Sequence, residues 1–160
     1  MKACVYNDVE TDARVSISDV PMPSIQSDQV QIKIEYAGVN PVDWKISEGY
    51  FKGVMEHHFP VVLGWDGAGT ITQVGSNVSS LRVGDRVFGY FRAPAIQWGT
   101  FAEYSVVKAT SVVKIPDGMS AQVAASLPVA ALTAWQALFD FANLQPGQTV
   151  LIQGGSGGVG

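Results

Sequence analysis

Apolar and polar positions alternate over Gln29-Val30-Gln31-Ile32-Lys33-Ile34-Glu35, the period-two pattern of a strand with one wet face. Similar short runs, rich in β-branched residues, occur at Lys2–Tyr6, Val15–Val20, Ala68–Val74, Arg86–Tyr90, Gly99–Val107 and Ser111–Ile115, and the alternating run extends over Gln29–Gly38. Turn residues separate them, among them Pro21-Met22-Pro23, Gly75-Ser76-Asn77 and Gly84-Asp85. Many short strands with such punctuation predict a compact β barrel or sandwich over the first two-thirds of the chain. A short helix is expected after Asn40-Pro41, because proline suits the first helical position. His57 and His58, beside Glu56, read as loop residues at the surface or a substrate mouth.

The pattern changes near Pro116-Asp117-Gly118-Met119. Ser120 can cap a helix over Ala121–Ser126, and Pro128 ends it or begins another that runs to about Phe141. That second helix is apolar nearly all round (Val129, Ala130, Ala131, Leu132, Trp135, Leu138, Phe139) and so needs cover on more than one side. After a turn at Gln145-Pro146-Gly147-Gln148, the run Thr149–Gln153 predicts a short strand, and it leads into Gly154-Gly155-Ser156-Gly157-Gly158-Val159-Gly160.

Composition narrows the classes. Among 160 residues, 47 % are hydrophobic and 15 % charged, with a net charge of −4, which describes a soluble globular chain. No basic stripe suggests a nucleic-acid partner. The most apolar stretch, Ala121 to Leu144, is interrupted by Pro128, Gln136 and Asp140, so no membrane partner is expected. The single cysteine, Cys4, excludes an internal disulfide and a thiolate-rich metal site. A reducing, cytoplasmic location is the default expectation.

Glycines 155, 157 and 160 satisfy G-x-G-x-x-G, and glycines 154, 157 and 160 give a second reading of the loop. After a strand, such spacing lets the backbone turn tightly and approach a pyrophosphate. The same residues could form a flexible linker. The apolar run before them, and Val159 after them, favour the nucleotide loop.

Several segments now stand in a telling order: Ala37-Gly38-Val39-Asn40-Pro41-Val42-Asp43-Trp44-Lys45, Leu63-Gly64-Trp65-Asp66-Gly67-Ala68-Gly69, Val83-Gly84-Asp85-Arg86-Val87-Phe88, Gly99-Thr100-Phe101-Ala102-Glu103-Tyr104, Leu132-Thr133-Ala134-Trp135, and the glycine loop. Together they resemble the medium-chain dehydrogenase/reductase superfamily, specifically its zinc-independent quinone oxidoreductase and enone reductase branch. The resemblance implies a mainly β fold with helices (α+β): a GroES-like, partly open β-barrel catalytic domain over residues 1–118, connecting helices over 119–144, and the first strand and glycine loop of a truncated Rossmann domain over 145–160. It implies NADPH as cofactor, with NADH not excluded, since the discriminating residues lie about 20 positions past the loop.

Zinc-dependent members of this superfamily place a cysteine where Asn40 stands, a histidine at Trp65, and a third ligand near Val129. Asparagine is a poor zinc ligand, and tryptophan and valine cannot ligate, so no zinc or other metal is expected. Hydride transfer to an enone or quinone builds negative charge on oxygen, which hydrogen-bond donors or a cation must then stabilise. Asn40 could orient the nicotinamide or donate to substrate oxygen; it could equally bond turn backbone before Pro41. Lys45 could place an ammonium near the enolate or be an ordinary solvated lysine. Thr133 falls where the family places a threonine against the nicotinamide, although a helical threonine can bond its own preceding carbonyl. Trp44, Tyr50, Phe51 and Trp65 are candidates for an aromatic wall around a flat substrate, with Trp44 as readily a core residue. Gly155, Gly157, Gly158, Val159 and Gly160 are the candidate cofactor loop. Asp43, Asp66, Asp85 and Arg86 read as structural charges at turns and behind the site.

One strand cannot make a doubly wound sheet. The 160 residues are therefore expected to fold without turning over, as half of a reductase; a binding or assembly module, or a family member with a non-enzymatic role, are the alternatives. An uncovered apolar helix and an unpaired strand predict a homo-oligomer, by self-association or domain swapping.

Overall fold

The structure is a computed structural model that describes residues 1–7 and 15–160. Nine strands fall into two sheets. The first has the order β2-β1-β4-β7, from β1 (Lys2–Tyr6), β2 (Ser16–Asp19), β4 (Glu56–Val62) and β7 (Ala95–Trp98). The second has the order β8-β3-β5-β6-β9, from β3 (Gln29–Gly38), β5 (Asp66–Val74), β6 (Arg86–Tyr90), β8 (Tyr104–Lys108) and β9 (Val112–Lys114). All pairings are antiparallel except β4 with β7. The alternation read in the sequence sets the core of the second sheet: Val30 and Ile32 turn inward against Ile71, Val87, Phe91, Val107 and Val112.

Residues 101–103 join the two sheets. Cys4 N–H donates to the Phe101 carbonyl (2.7 Å) and Glu103 N–H to the Lys2 carbonyl (3.1 Å), while Ile34 N–H donates to the Glu103 carbonyl (2.9 Å). The expected strand Gly99–Val107 is thus shorter: its first half spans the gap between sheets, and only Tyr104–Lys108 joins the β3 ladder. His57 and His58 are also placed differently, since they belong to β4 and not to a loop. The parallel partner β7 completes pairing that the polar, proline-containing Glu56–Val62 segment does not advertise.

Three α-helices and one 3-10 turn (Ala109–Ser111) complete the described fold: α1 (Pro41–Ser47), α2 (Ala121–Ala125) and α3 (Pro128–Trp135), the last continuing as a π-helical segment through Gln136–Phe141. Ser120 caps α2 by accepting the Val123 N–H at 3.2 Å. Ala121, Ala124 and Ala125 bury against Ala68, and these small side chains let α2 lie close on β5. Residues 149–153 pair with no neighbour and form no strand, contrary to expectation. Their apolar pattern suits a sheet interior, but a strand is stabilised by its ladder, and no other described strand is available there.

Candidate functional site

Asn40, Asp43 and Asp66 meet where β3 ends, α1 begins and β5 begins. Pro41 starts α1, and Asp43, two positions further on, reaches back to accept the Asn40 N–H at 2.7 Å. The Asn40 side chain belongs to the capping box at this helix end, and its Nδ2 donates to Asp66 Oδ2 at 3.0 Å. Asp66 also accepts the Val129 N–H, at 3.1 Å through Oδ1 and 3.0 Å through Oδ2. One buried carboxylate therefore ties the end of β3 to the first turn of α3.

The backbone on either side of Asp66 is pinned as well. The Thr100 hydroxyl donates to the Asp66 carbonyl at 2.7 Å, and Phe91 N–H to the Trp65 carbonyl at 2.6 Å. Gly64, with φ of +95°, makes the turn into this segment, and a Cβ there would collide with the Thr100 hydroxyl and the Phe101 ring. Asp66 is 1 % exposed. Burial pushes its carboxyl up to about 6, against the Val129 and Asn40 hydrogen bonds that favour the charged form, and the Asp43 charge adds to the rise. Burial raises Asp43 too, with the Asn40 and Gly64 N–H groups opposing it.

The four candidate aromatic residues separate into two pairs. Trp65 is buried with Tyr6, Ile46, Val61, Leu63 and Ile96, and Phe51 packs edge-on to it at 5.9 Å. Trp44 and Tyr50 form an exposed edge-to-face pair at 5.7 Å, and the Lys45 ammonium lies 5.7 Å from the Trp44 ring. Lys45 is exposed and does not join the Asn40–Asp66 cluster. Thr133 is exposed, and its hydroxyl donates to the Val129 carbonyl at 2.6 Å. His57 and His58 are consecutive on a strand, so their rings diverge: His57 Nδ1 lies 2.8 Å from the Met55 carbonyl, and His58 Nε2 lies 2.7 Å from Glu56. Among the described residues, no group of three or more His, Cys, Asp or Glu could hold a metal ion.

Two openings flank α3. A cleft of about 620 Å³ lies against its N-terminal half, walled by Phe88, Tyr90, Leu127, Pro128 and Leu132, with Arg92 on its lining. None of the candidate catalytic, aromatic-wall or cofactor residues read from the sequence is among its lining residues. A smaller cleft of about 310 Å³ lies between Ala134 and Leu138 and the glycine loop. There Gly154 takes φ of +71°, Gly157 N–H donates to the Gly154 carbonyl at 2.9 Å, and a Cβ on Gly160 would come within 2.6 Å of the Gly155 Cα. The loop is exposed and presents bare backbone, which fits a pyrophosphate.

Residues 26–117 match the family model described as the alcohol dehydrogenase GroES-like domain. The chain belongs to that family. The resemblance to the medium-chain dehydrogenase/reductase superfamily holds along with it. The chain is 41 % identical over 155 residues to a chloroplastic quinone-oxidoreductase homolog of Spinacia oleracea, covering 94 % of the chain and 46 % of that protein. It is also 41 % identical over 165 residues to the 2-methylene-furan-3-one reductase of Solanum lycopersicum, covering 100 % and 42 %. A solved mycobacterial structure complexed with NADPH superimposes with a TM-score of 0.84 at 31 % identity, covering 99 % of this chain and 47 % of that one. The chain spans less than half the length of each of these relatives. Similarity to a GroES-like fold thus agrees with the two-sheet architecture, and no helix among the described residues is long and apolar enough to cross a membrane.

Proposed function

We propose that this chain is the substrate-side part of an NADPH-dependent oxidoreductase that delivers hydride to a quinone or an α,β-unsaturated carbonyl without catalytic zinc. The observation that carries the zinc-free reading is the donor set. Where zinc-dependent relatives hold their ligands, this chain has an amide bonded to Asp66, a buried indole and an isopropyl group. None offers the thiolate or imidazole lone pair that zinc takes up. Relatives whose names specify quinone or enone reduction, and a neighbour that binds NADPH, support the reaction class and cofactor.

Residues 1–118 would form the catalytic domain, 119–144 the connecting helices, and 145–160 the start of a dinucleotide-binding unit. Gly155, Gly157, Gly158, Val159 and Gly160 would hold the pyrophosphate through backbone N–H groups, and Thr133 would face the nicotinamide end. A bound reduced nicotinamide supplies the hydride. The chain's own residues then shape the acceptor site: Trp44 and Tyr50 offer exposed aromatic surface, Phe51 and the buried Trp65 are the other candidate wall residues, and the Asn40 amide and Lys45 ammonium would be donors for developing negative charge on oxygen. The remaining N–H of the Asn40 amide is held in one orientation by Asp66. Solvent or a protein acid would then protonate the enolate carbon, or the hydroquinone oxygen when a quinone is the acceptor.

The test is NADPH oxidation with cyclohexenone and with a benzoquinone, on the 160-residue chain and on the chain extended by its downstream coding sequence. The extended protein should turn over in the presence of a strong chelator, and the 160 residues alone should not. A silent extended protein defeats the reductase reading, and chelator-sensitive turnover defeats its zinc-free part.

A further inference from the structure

Helix α3 begins without a cap of its own. Leu127 at the N-cap offers no side-chain acceptor and Pro128 has no N–H, so the Val129 N–H is the first donor of the helix left to satisfy. Asp66 satisfies it from another element, through Oδ1 at 3.1 Å and Oδ2 at 3.0 Å. Its charge also meets the positive end of the helix dipole. The carbonyl of the same Val129 accepts the Thr133 hydroxyl at 2.6 Å, one turn along. On its other side, Asp66 Oδ2 accepts the Asn40 Nδ2–H at 3.0 Å. One carboxylate thus stands between the Asn40 amide and the helix turn that carries Thr133. It has little freedom to move: Asp66 is 1 % exposed, its carbonyl accepts the Thr100 hydroxyl at 2.7 Å, and a Cβ on Gly38 would stand 2.9 Å from the Asp66 Cβ. An asparagine could not replace it without loss. The donors fall on both carboxylate oxygens, whereas an amide has one oxygen and would turn N–H groups toward a donor at its other end.

We infer that Asp66 is a positioning residue for the reaction: it fixes the Asn40 amide and the first turn of α3 relative to each other, and through that turn the Thr133 hydroxyl. This role rests on the reductase reading, in which Asn40 is a donor for substrate oxygen and Thr133 faces the nicotinamide. Asp66 itself is buried and touches neither substrate nor cofactor. Hydride transfer needs the donor carbon, the acceptor carbon and the hydrogen-bond donor on oxygen aligned together, and a small misplacement of one is costly. A residue that only stabilised the fold would leave the turnover of each folded molecule alone. A positioning residue makes the effects of Asn40 and Thr133 depend on its presence.

Double-mutant cycles on the chain extended by its downstream coding sequence test this, with cyclohexenone and NADPH and with kcat referred to the fraction of chains that bind NADPH. Asp66→Asn should lower kcat between about tenfold and a hundredfold, as lost alignment does. The Kd for NADPH should change by less than about twofold, because the glycine loop holds the pyrophosphate. Asn40→Ala and Thr133→Val should each lose most of their own effect when residue 66 is already asparagine, whereas independent sites would multiply to within about twofold. If Asp66→Asn does not fold, the cycle between Asn40→Ala and Thr133→Val leaves the carboxylate in place and decides the matter: coupled losses support the role, and losses that multiply overturn it. NMR of the wild-type 160-residue chain at about pH 8, above the Asp66 ionisation, needs no variant. Couplings across hydrogen bonds should link Asp66 Cγ to the Val129 nitrogen and to Asn40 Nδ2, and the absence of either would overturn the inference. An active extended protein whose Asp66→Asn variant keeps its kcat rejects the positioning role and leaves the reductase reading standing. A silent wild-type extended protein defeats that reading, and this role falls with it even where both couplings are seen.

Discussion

The side-chain amide of Asn40 donates to the buried carboxylate of Asp66 across 26 positions of sequence, at 3.0 Å. The same carboxylate accepts the Val129 N–H, so residues from β3, β5 and α3 converge on one ionisable group. Desolvation outweighs both hydrogen bonds there, and the Asp66 carboxyl is pushed up to about 6. The arrangement fixes the amide's orientation at the cost of holding a carboxylate out of water.

That cost sets a pH dependence with a definite sign. An aspartate near 3.8 in the unfolded chain and about 6 in the folded one binds more protons folded than unfolded between those values. Stability therefore falls as pH rises from about 4 to about 6, and the favourable contribution is lost above that. Asp66→Asn has no such ionisation. In urea unfolding, the wild-type chain should lose stability relative to Asp66→Asn as pH rises through this window, and the difference should level off above it. A difference that stays flat from pH 4 to 7 would rule out the elevated carboxyl.

Gly64 and Gly53 offer a matched comparison. Both have positive φ, +95° and +76°, but a Cβ on Gly64 meets Thr100 and Phe101, whereas one on Gly53 meets nothing within 4 Å. Gly53→Ala should cost only the left-handed conformational term, about 1–2 kcal/mol. Gly64→Ala adds an overpacking term of roughly 1–3 kcal/mol beside the Asp66 cluster. Thermal or urea unfolding of the two variants should rank them in that order.

Much of the β scaffold was legible because its strands carry their own signal. Lys2–Tyr6, Gln29–Gly38 and Arg86–Tyr90 have the bounds read from the pattern alone. β4 and β7 were not legible: Glu56-His57-His58-Phe59-Pro60 is a poor strand former in isolation, and Ala95–Trp98 is short and follows Pro94. They are strands because they pair with each other and β4 also pairs with β1. Thr149–Gln153 fails in the opposite way, with a strand pattern and no described partner. At the site, Asn40 stood out by its motif and Asp66 read as a charge behind it. The tie from Asp66 to a backbone N–H 63 residues later leaves no local trace. The cleft beside the N-terminal half of α3 was overlooked because it is assembled from three separated stretches.

Trp65 and Trp44 test how far the aromatic residues are structure and how far surface. Trp65 is 8 % exposed and contacts Phe51, Tyr90 and the Arg92 guanidinium, whereas Trp44 is 51 % exposed and touches Tyr50 and Lys45. Trp65→Ala should destabilise the fold by about 3–5 kcal/mol, as large-to-small changes in a packed core do. Trp44→Ala removes one exposed ring pair and one exposed cation–π contact, worth about 1 kcal/mol or less each. Comparable losses from the two variants in urea titrations would contradict this division.

The last relationship concerns the far side of α3. Trp135 and Phe139 pack at 4.6 Å yet remain 59 % and 44 % exposed, while Phe141 is 93 % and Leu151 85 % exposed. With Val150 and Ile152 they leave a run of apolar surface that water covers only at a free-energy cost proportional to its area. Residues 149–153 also lack a ladder, so their backbone groups are available to another chain. Both features drive the 160-residue chain toward self-association. Sedimentation velocity over a hundredfold concentration range should show a species larger than 17.0 kDa that grows with concentration. Replacing Phe141 and Leu151 together by Ser should weaken association at least severalfold. Neither side chain belongs to a buried cluster, so the melting temperature extrapolated to low concentration should stay nearly unchanged. A wild-type chain that stays monomeric throughout would show that intrachain packing suffices for this face. Association that the double variant leaves intact would place the contact elsewhere on the molecule.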